Sequence, residues 1–258
     1  KSWAAGDATS RGVRLALLSH SGEMGYLSAL SSPTWGFHDA LLRGAAVTLR
    51  RPFGCYVIEN ILFKVSYPAE FHGQTAVEAA IRLHPEVRDR LGQIARISIW
   101  TQESALRIID KTGPLRNPAD RDHCLQYMVA VALIHGGLVA AHYRDEAARD
   151  PRLDWLRQRM EVSEDPSYSR DYLDSGQRSI ANAVQIFFTN GQCTERVEVM
   201  YPLGHRRRRT EALPLLRCKF EENLALRLPA RHCHTIRGVF DDPEKLDAMA
   251  VHEFVALF

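Results

Sequence analysis

Residues 128–134 read Met-Val-Ala-Val-Ala-Leu-Ile, an unbroken apolar run closed by Gly136 and Gly137. A helix of that composition has no polar face and is stable only when other elements wrap it. The chain must therefore build layers around this segment. The run is far shorter than the ~18 apolar residues a membrane span requires, so a buried core helix is predicted and no membrane partner.

A second signal fixes the fold class. Ala183–Thr189 reads as a strand, Asn190-Gly191 as a turn, and Thr194–Tyr201 returns with Val197 and Val199 alternating against charge. Asn-Gly between two such runs marks a β-hairpin. Ile97 and Ile99, alternating with polar neighbours, predict a half-buried strand over 94–101, and 160–164 reads as a short one. Helical patterns occupy 3–20, about 71–83, 152–159, 211–225, 242–248 and 250–257, and 22–45 reads as short helices and loops. Asp120 or Asp122 is placed to cap a helix running to about His135. The predicted class is α+β, with a mixed block between helical segments.

Charge narrows the function classes. Lys plus Arg is 33 against 31 Asp plus Glu, a net charge of +2, which gives no reason to expect nucleic acid as partner. The five cysteines, at 55, 124, 193, 218 and 233, form no C-x-x-C pair. Reduced thiols of a cytoplasmic protein are predicted, with no metal site. Arg231-His232-Cys233-His234 supplies too few ligands for zinc and reads as a solvated linker between helices. There is no P-loop, G-x-G-x-x-G, G-x-S-x-G or H-E-x-x-H.

Four places concentrate side chains suited to an anionic substrate. They are Lys1 to Arg14, Lys64 to Gln74, Asp120 to Tyr127, and Gly204 to Arg209. The third sits at a predicted helix start, where backbone N–H groups and the macrodipole favour carboxylates. His123 and Tyr127, four apart, would share a helix face there. His72 beside Glu70 and Lys64 is a candidate acid–base group, because histidine titrates near neutrality. Most of the four arginines at 206–209 are expected in solvent, with one or two turned inward to a carboxylate.

Longer strings carry a resemblance. Trp3-Ala4-Ala5-Gly6-Asp7-Ala8-Thr9-Ser10-Arg11, Tyr67-Pro68-Ala69-Glu70-Phe71-His72, Asn117-Pro118-Ala119-Asp120-Arg121-Asp122-His123-Cys124 and Tyr201-Pro202-Leu203-Gly204-His205 are irregular and non-repetitive. Through them the chain resembles the C-terminal half of enzymes of the MmgE/PrpD family. The resemblance implies a helical domain built of residues 1–62 and 204–258, with 63–203 inserted as an α+β lid and the active site between the two. It implies cofactor-free dehydration of 2-methylcitrate to cis-2-methylaconitate in propionate catabolism, with side activity on citrate and cis-aconitate. Lys1 matches an active-site lysine of the related cis-aconitate decarboxylases, and Lys64 lies close to another. Ala4 and Glu70 stand where those decarboxylases carry histidines, which favours the dehydratase branch.

The chemistry needs a base for a proton alpha to a carboxylate, an acid for the leaving hydroxyl, and cations for the carboxylates. His72, His123, Tyr127 and Lys64 are the catalytic candidates. Lys1, Arg121, Gln126, His205 and Arg206 are the substrate-binding ones. The expected partner is a small tricarboxylate, and a homodimer stays open. The chain begins with Lys1 in a helical pattern, which predicts an N-terminal part upstream. An inactive structural module and a decarboxylase of the same family are the alternative readings.

Overall fold

The computed structural model describes residues 3–45, 47–49, 52, 54 and 59–258. Two units emerge, residues 1–55 and 56–258. In the first, α1 (Ala4–His20) ends at Ser21, whose N–H donates to the Leu17 carbonyl, and Gly22, at φ +95°, donates its N–H to the Ser19 carbonyl. This is the stop read from Ser19-His20-Ser21-Gly22. A shorter helix, α2 (Phe37–Leu42), follows, and neither helix buries a residue. Cys55 and Lys1 lie outside the described residues.

The second unit is built on a four-stranded sheet of order β2-β1-β3-β4. The strands are β1 (Ile94–Thr101), β2 (Met160–Glu164), β3 (Asn182–Phe188) and β4 (Val197–Val199). β1 pairs parallel with β2 and antiparallel with β3, and β3 pairs antiparallel with β4. The β3–β4 connection contains the expected Asn190-Gly191 turn, with Gly191 at φ +85°. Near it Thr194 replaces regular pairing: its N–H donates to the Ile186 carbonyl and its Oγ1 accepts from the Ile186 N–H.

Two helices carry the core. α3 (Gln74–Val87) packs against β3 and β4. It also packs against a helix that spans Leu125–His135, which contains the all-apolar run. Every residue of that second helix from Leu125 to Ile134 is buried. Gly136 at φ +67° closes it, and a Cβ there would meet His84 Cδ2 at 2.7 Å, so both conformation and space demand glycine. Ala76, Val77, Ala80 and Leu83 meet Met128 to Leu133 and the sheet residues Ile97, Ile99, Val184 and Ile186 in one cluster.

Further helices complete the unit. Numbered on in chain order, α4 is Glu103–Ile109, α5 Pro118–Arg121 and α6 the buried Leu125–His135. Next come α7 (Pro151–Arg157), α8 (Pro166–Leu173), α9 (Arg209–Ala225), α10 (Ala230–Phe240), α11 (Pro243–Ala248) and α12 (Val251–Val255). Leu224, Cys233 and Ile236 form a small separate core between α9 and α10. No helix among the described residues is long and apolar enough to cross a membrane.

Several expectations need correction. The helix predicted from Asp120 to His135 is two helices, α5 and α6. Neither aspartate caps. Asn117 Oδ1 accepts from the Asp120 N–H at the start of α5, and Cys124 stands at the start of α6 without a side-chain cap. His123 therefore precedes α6 and does not share a helix face with Tyr127. Residues 231–234 are no linker: they lie in α10, with Cys233 turned into the small core. α4 and α8 escaped sequence reading because each is short and lacks sustained apolar periodicity.

Candidate active site

Glu70 and His72 form the best-defined polar array, and local chain chemistry builds it. Pro68 holds Tyr67 extended. Gln74 then ties the segment down, its Nε2 donating to the Tyr67 and Ala69 carbonyls, both at 2.8 Å. Glu70 opens a single 3-10 turn, Phe71–Gly73, and its Oε2 accepts from the His72 N–H at 2.8 Å. The His72 ring folds back so that Nδ1 lies 2.9 Å from both carboxylate oxygens. On its far side Nε2 is 3.3 Å from the Tyr172 hydroxyl, on α8. From β3, Asn182 Nδ2 donates to the His72 carbonyl at 2.8 Å.

Burial alone would push the Glu70 carboxyl up. The His72 hydrogen bonds and charge outweigh it and hold Glu70 below the usual glutamate range. An ionised carboxylate only accepts, so His72 Nδ1 carries a proton toward Glu70, and Nε2 faces the Tyr172 hydroxyl.

His72 and Tyr172 line a cleft of about 430 Å³ with Asn60, Leu62, Phe71, Leu173, Arg178, Ile180 and His205. Arg206 reaches its rim, donating from Nη1 to Asn60 Oδ1 at 3.0 Å and from Nη2 to the Gly176 carbonyl at 2.8 Å. Lys64 is exposed, with Nζ 4.9 Å from the centre of the Phe71 ring. His123 is bound to Asp122 (Nδ1 to Oδ1, 2.5 Å) and lies close enough for its charge to act on Glu70. The structure thus gathers His72, His205 and Arg206 at one cleft, with Lys64 beside its Phe71 wall.

The other candidates stand elsewhere. Arg121 is 5% exposed and donates to the Tyr143 carbonyl while pairing with Asp145, both at 2.7 Å. Tyr127 donates to the His142 carbonyl at 2.6 Å, and burial pushes its phenol up. Both side chains therefore fasten the 142–145 segment to the core. Gln126 donates to Asp110 at 2.5 Å and faces a different cavity, lined among others by Lys111, Asp154 and Arg157. Lys1 lies outside the described residues.

The arginine run differs from its predicted solvation. Arg208 pairs with Glu78 (2.8 Å) and Glu211 (2.7 Å). Arg207 donates to the Gly176 carbonyl at 3.0 Å and Arg209 to the Glu59 carbonyl at 2.8 Å. All four guanidiniums at 206–209 thus bind protein acceptors. Tyr172, Arg178 and Asn60 carried no signal in the sequence, because none belongs to a motif and the first two lie about a hundred positions from His72.

His205 is 2% exposed. Its Nδ1 accepts from the Arg207 N–H at 3.2 Å, and its ring lies 4.6 Å from that of Tyr201. Burial first, then the charges of Arg206 and Arg207, push its pKa down from 6.5 to about 4. The folded state thus holds His205 neutral where an unfolded chain would protonate it. Its contribution to stability is present above pH 6.5 and lost as pH falls from there toward about 4. The thermal midpoint is expected to drop across this window, and less steeply in His205→Gln. Equal slopes in melting curves of the two proteins would remove His205 as a source of acid sensitivity.

Among the described residues no group of three or more His, Cys, Asp or Glu side chains is arranged to hold a metal. Cys124, Cys193, Cys218 and Cys233 are free thiols.

Residues 67–242 match the MmgE/PrpD C-terminal domain. The chain is 54% identical over 261 residues to 2-methylcitrate dehydratase of Cupriavidus necator, covering 100% of this chain and 54% of that protein. It is 51% identical over 261 residues to 2-methylcitrate dehydratase of Escherichia coli (strain K12), with the same coverage of each. It is 50% identical over 262 residues to the mitochondrial 2-methylcitrate dehydratase of Yarrowia lipolytica, covering 100% of this chain and 50% of that protein. The chain spans about half the length of these curated relatives.

Proposed function

Because the chain belongs to the MmgE/PrpD family, we propose that it is the part of a 2-methylcitrate dehydratase that carries the proton-transfer groups. The observation that carries this reading is the Glu70–His72–Tyr172 array opening on a cleft rimmed by arginines. The names of relatives about half identical over the whole chain supply the substrate class.

In this mechanism Glu70 holds His72 with Nδ1–H toward the carboxylate. His72 Nε2 then takes the proton alpha to a substrate carboxylate. The Tyr172 hydroxyl gives its proton to the departing hydroxyl, which leaves as water, and regains one from His72 Nε2. The carbon–carbon double bond forms from the electrons of the broken C–H bond. The proton is thus passed around a closed path and the enzyme ends as it began. Lys64 and Arg206 hold substrate carboxylates, and His123 adds positive charge near Glu70 when protonated. No metal or cofactor takes part.

Residues 63–203 form a lid in this reading, and 1–62 and 204–258 belong to the helical body. The cleft draws on both sides of those boundaries, with Asn60, Leu62 and His205 from the body and Phe71, His72, Tyr172, Arg178 and Ile180 from the lid. The partner is a small tricarboxylate and the compartment the cytoplasm.

The test follows ultraviolet absorbance of the conjugated product when 2-methylcitrate is added to the chelator-treated complete protein that carries this sequence. A rise supports the reading. No rise, with release of carbon dioxide from cis-aconitate instead, would replace it with a decarboxylase.

A further inference from the structure

The cleft carries positive charge that no carboxylate among the described residues neutralises. Among the described residues Arg206 is bound only by neutral acceptors, Asn60 Oδ1 and the Gly176 carbonyl. Arg207 donates to that same carbonyl and lies 4.9 Å from the centre of the Tyr201 ring. Arg178 lines the cleft, and its guanidinium has no ion pair or hydrogen bond among the described residues. Arg208, one residue beyond Arg207, is by contrast taken by two glutamates. Guanidiniums left without carboxylates around a cleft fit a ligand that brings its own.

Arg178 is also held in an unusual conformation. Its φ is +48°, in the left-handed region that arginine seldom occupies. Non-glycine residues persist there where their surroundings over-determine them, often at ligand sites. The surroundings here are a strap of residues 201–207. Tyr201 donates to Gln177 Oε1 at 2.7 Å, and Arg206 and Arg207 both grip the Gly176 carbonyl. His205 is buried at the same cleft as Arg178, and its Nδ1 accepts from the Arg207 N–H at 3.2 Å, which locks the ring into the strap. Asp174 closes the turn from within, its carbonyl accepting from the Arg178 N–H at 2.8 Å. The turn follows α8 directly, so the same strap sets Tyr172 against His72.

We propose that Arg178 clamps a carboxylate of the substrate in the His72 cleft, and that His205 is a positioning residue holding Arg178 there. The identity of the anion rests on the dehydratase reading; the clamp itself is tested with an unreactive tricarboxylate, tricarballylate. The variants are Arg178→Asn, which removes the charge but tolerates left-handed backbone, Arg178→Lys, His205→Gln, and the Arg178→Asn/His205→Gln double variant, all in the complete protein.

Arg178→Asn is expected to weaken tricarballylate binding in calorimetry, and to raise KM for 2-methylcitrate, by about tenfold or more, with kcat within about threefold. Arg178→Lys should recover part of the loss. His205→Gln should raise KM in the same sense, and the double variant should be little worse than Arg178→Asn alone, since His205 acts through Arg178. Additive losses would overturn the positioning role. Wild-type affinity for tricarballylate in Arg178→Asn, or no binding by the wild type, would overturn the clamp. If the wild type binds tricarballylate through Arg178 but does not dehydrate 2-methylcitrate, the dehydratase reading fails and the clamp stands.

Discussion

On the proposed dehydratase function, His72→Ala in the complete protein is expected to lower kcat for 2-methylcitrate by about 10² to 10⁴, the range a positioned acid–base group supplies. His72 joins the half-buried carboxylate of Glu70 to the cleft, through Nδ1 at 2.9 Å on one side and Nε2 facing Tyr172 at 3.3 Å on the other. Removing the ring breaks the proton path at its centre and leaves Glu70 without its main partner. Glu70→Gln should do less, by roughly tenfold to a hundredfold, because a neutral amide can still orient the ring but accepts through one oxygen where the carboxylate offers two. The check is steady-state kinetics with melting curves beside them, so that lost fold is separated from lost chemistry. An unchanged kcat in folded His72→Ala would remove His72 from the reaction.

Gly204→Ala is expected to destabilise the second unit by roughly 3–5 kcal/mol, at the severe end for single substitutions. A Cβ at 204 would stand 1.6 Å from the Phe63 carbonyl oxygen, 2.5 Å from its carbon and 2.8 Å from the Phe63 nitrogen. These are main-chain atoms, so no rotamer relieves the overlap. The backbone must part, and with it goes the hydrogen bond from the Phe63 N–H to the Gly204 carbonyl at 3.1 Å. The displaced segment includes Asn60 and Leu62, two walls of the cleft. A fall in melting temperature of roughly 10 °C is the expected scale. An alanine protein that melts like the wild type would show that 59–63 and 204 separate without cost.

Much of the frame is legible in the residues themselves. β1 and β2 coincide with the strands read at 94–101 and 160–164, and the Asn190-Gly191 hairpin joins β3 to β4. The unbroken apolar run demanded burial on every side and has it. These features rest on periodicity and turn chemistry, which act over a few residues. The break between α5 and α6 was hidden for a related reason: Asp120, Asp122 and Asn117 are all good caps, and which one serves depends on how the chain enters the turn.

The site divides along the same line. Glu70-Phe71-His72 announces a carboxylate–histidine pair, because two residues of separation lets a single turn bring them together. Arg121, Tyr127 and Gln126 carry the right chemical groups, yet all three are bound to protein partners away from the cleft. A donor buried in low dielectric binds whatever acceptor packing brings, and sequence does not name that acceptor. The sequence by itself determined the strands, the hairpin, the central helix and the Glu70–His72 pair, since each depends on near neighbours. Only the tertiary structure decided that Tyr172, Arg178 and His205 meet His72 at one cleft. Those contacts join residues about a hundred positions apart through the packing of α8 and the 201–207 strap, and no local rule carries that distance.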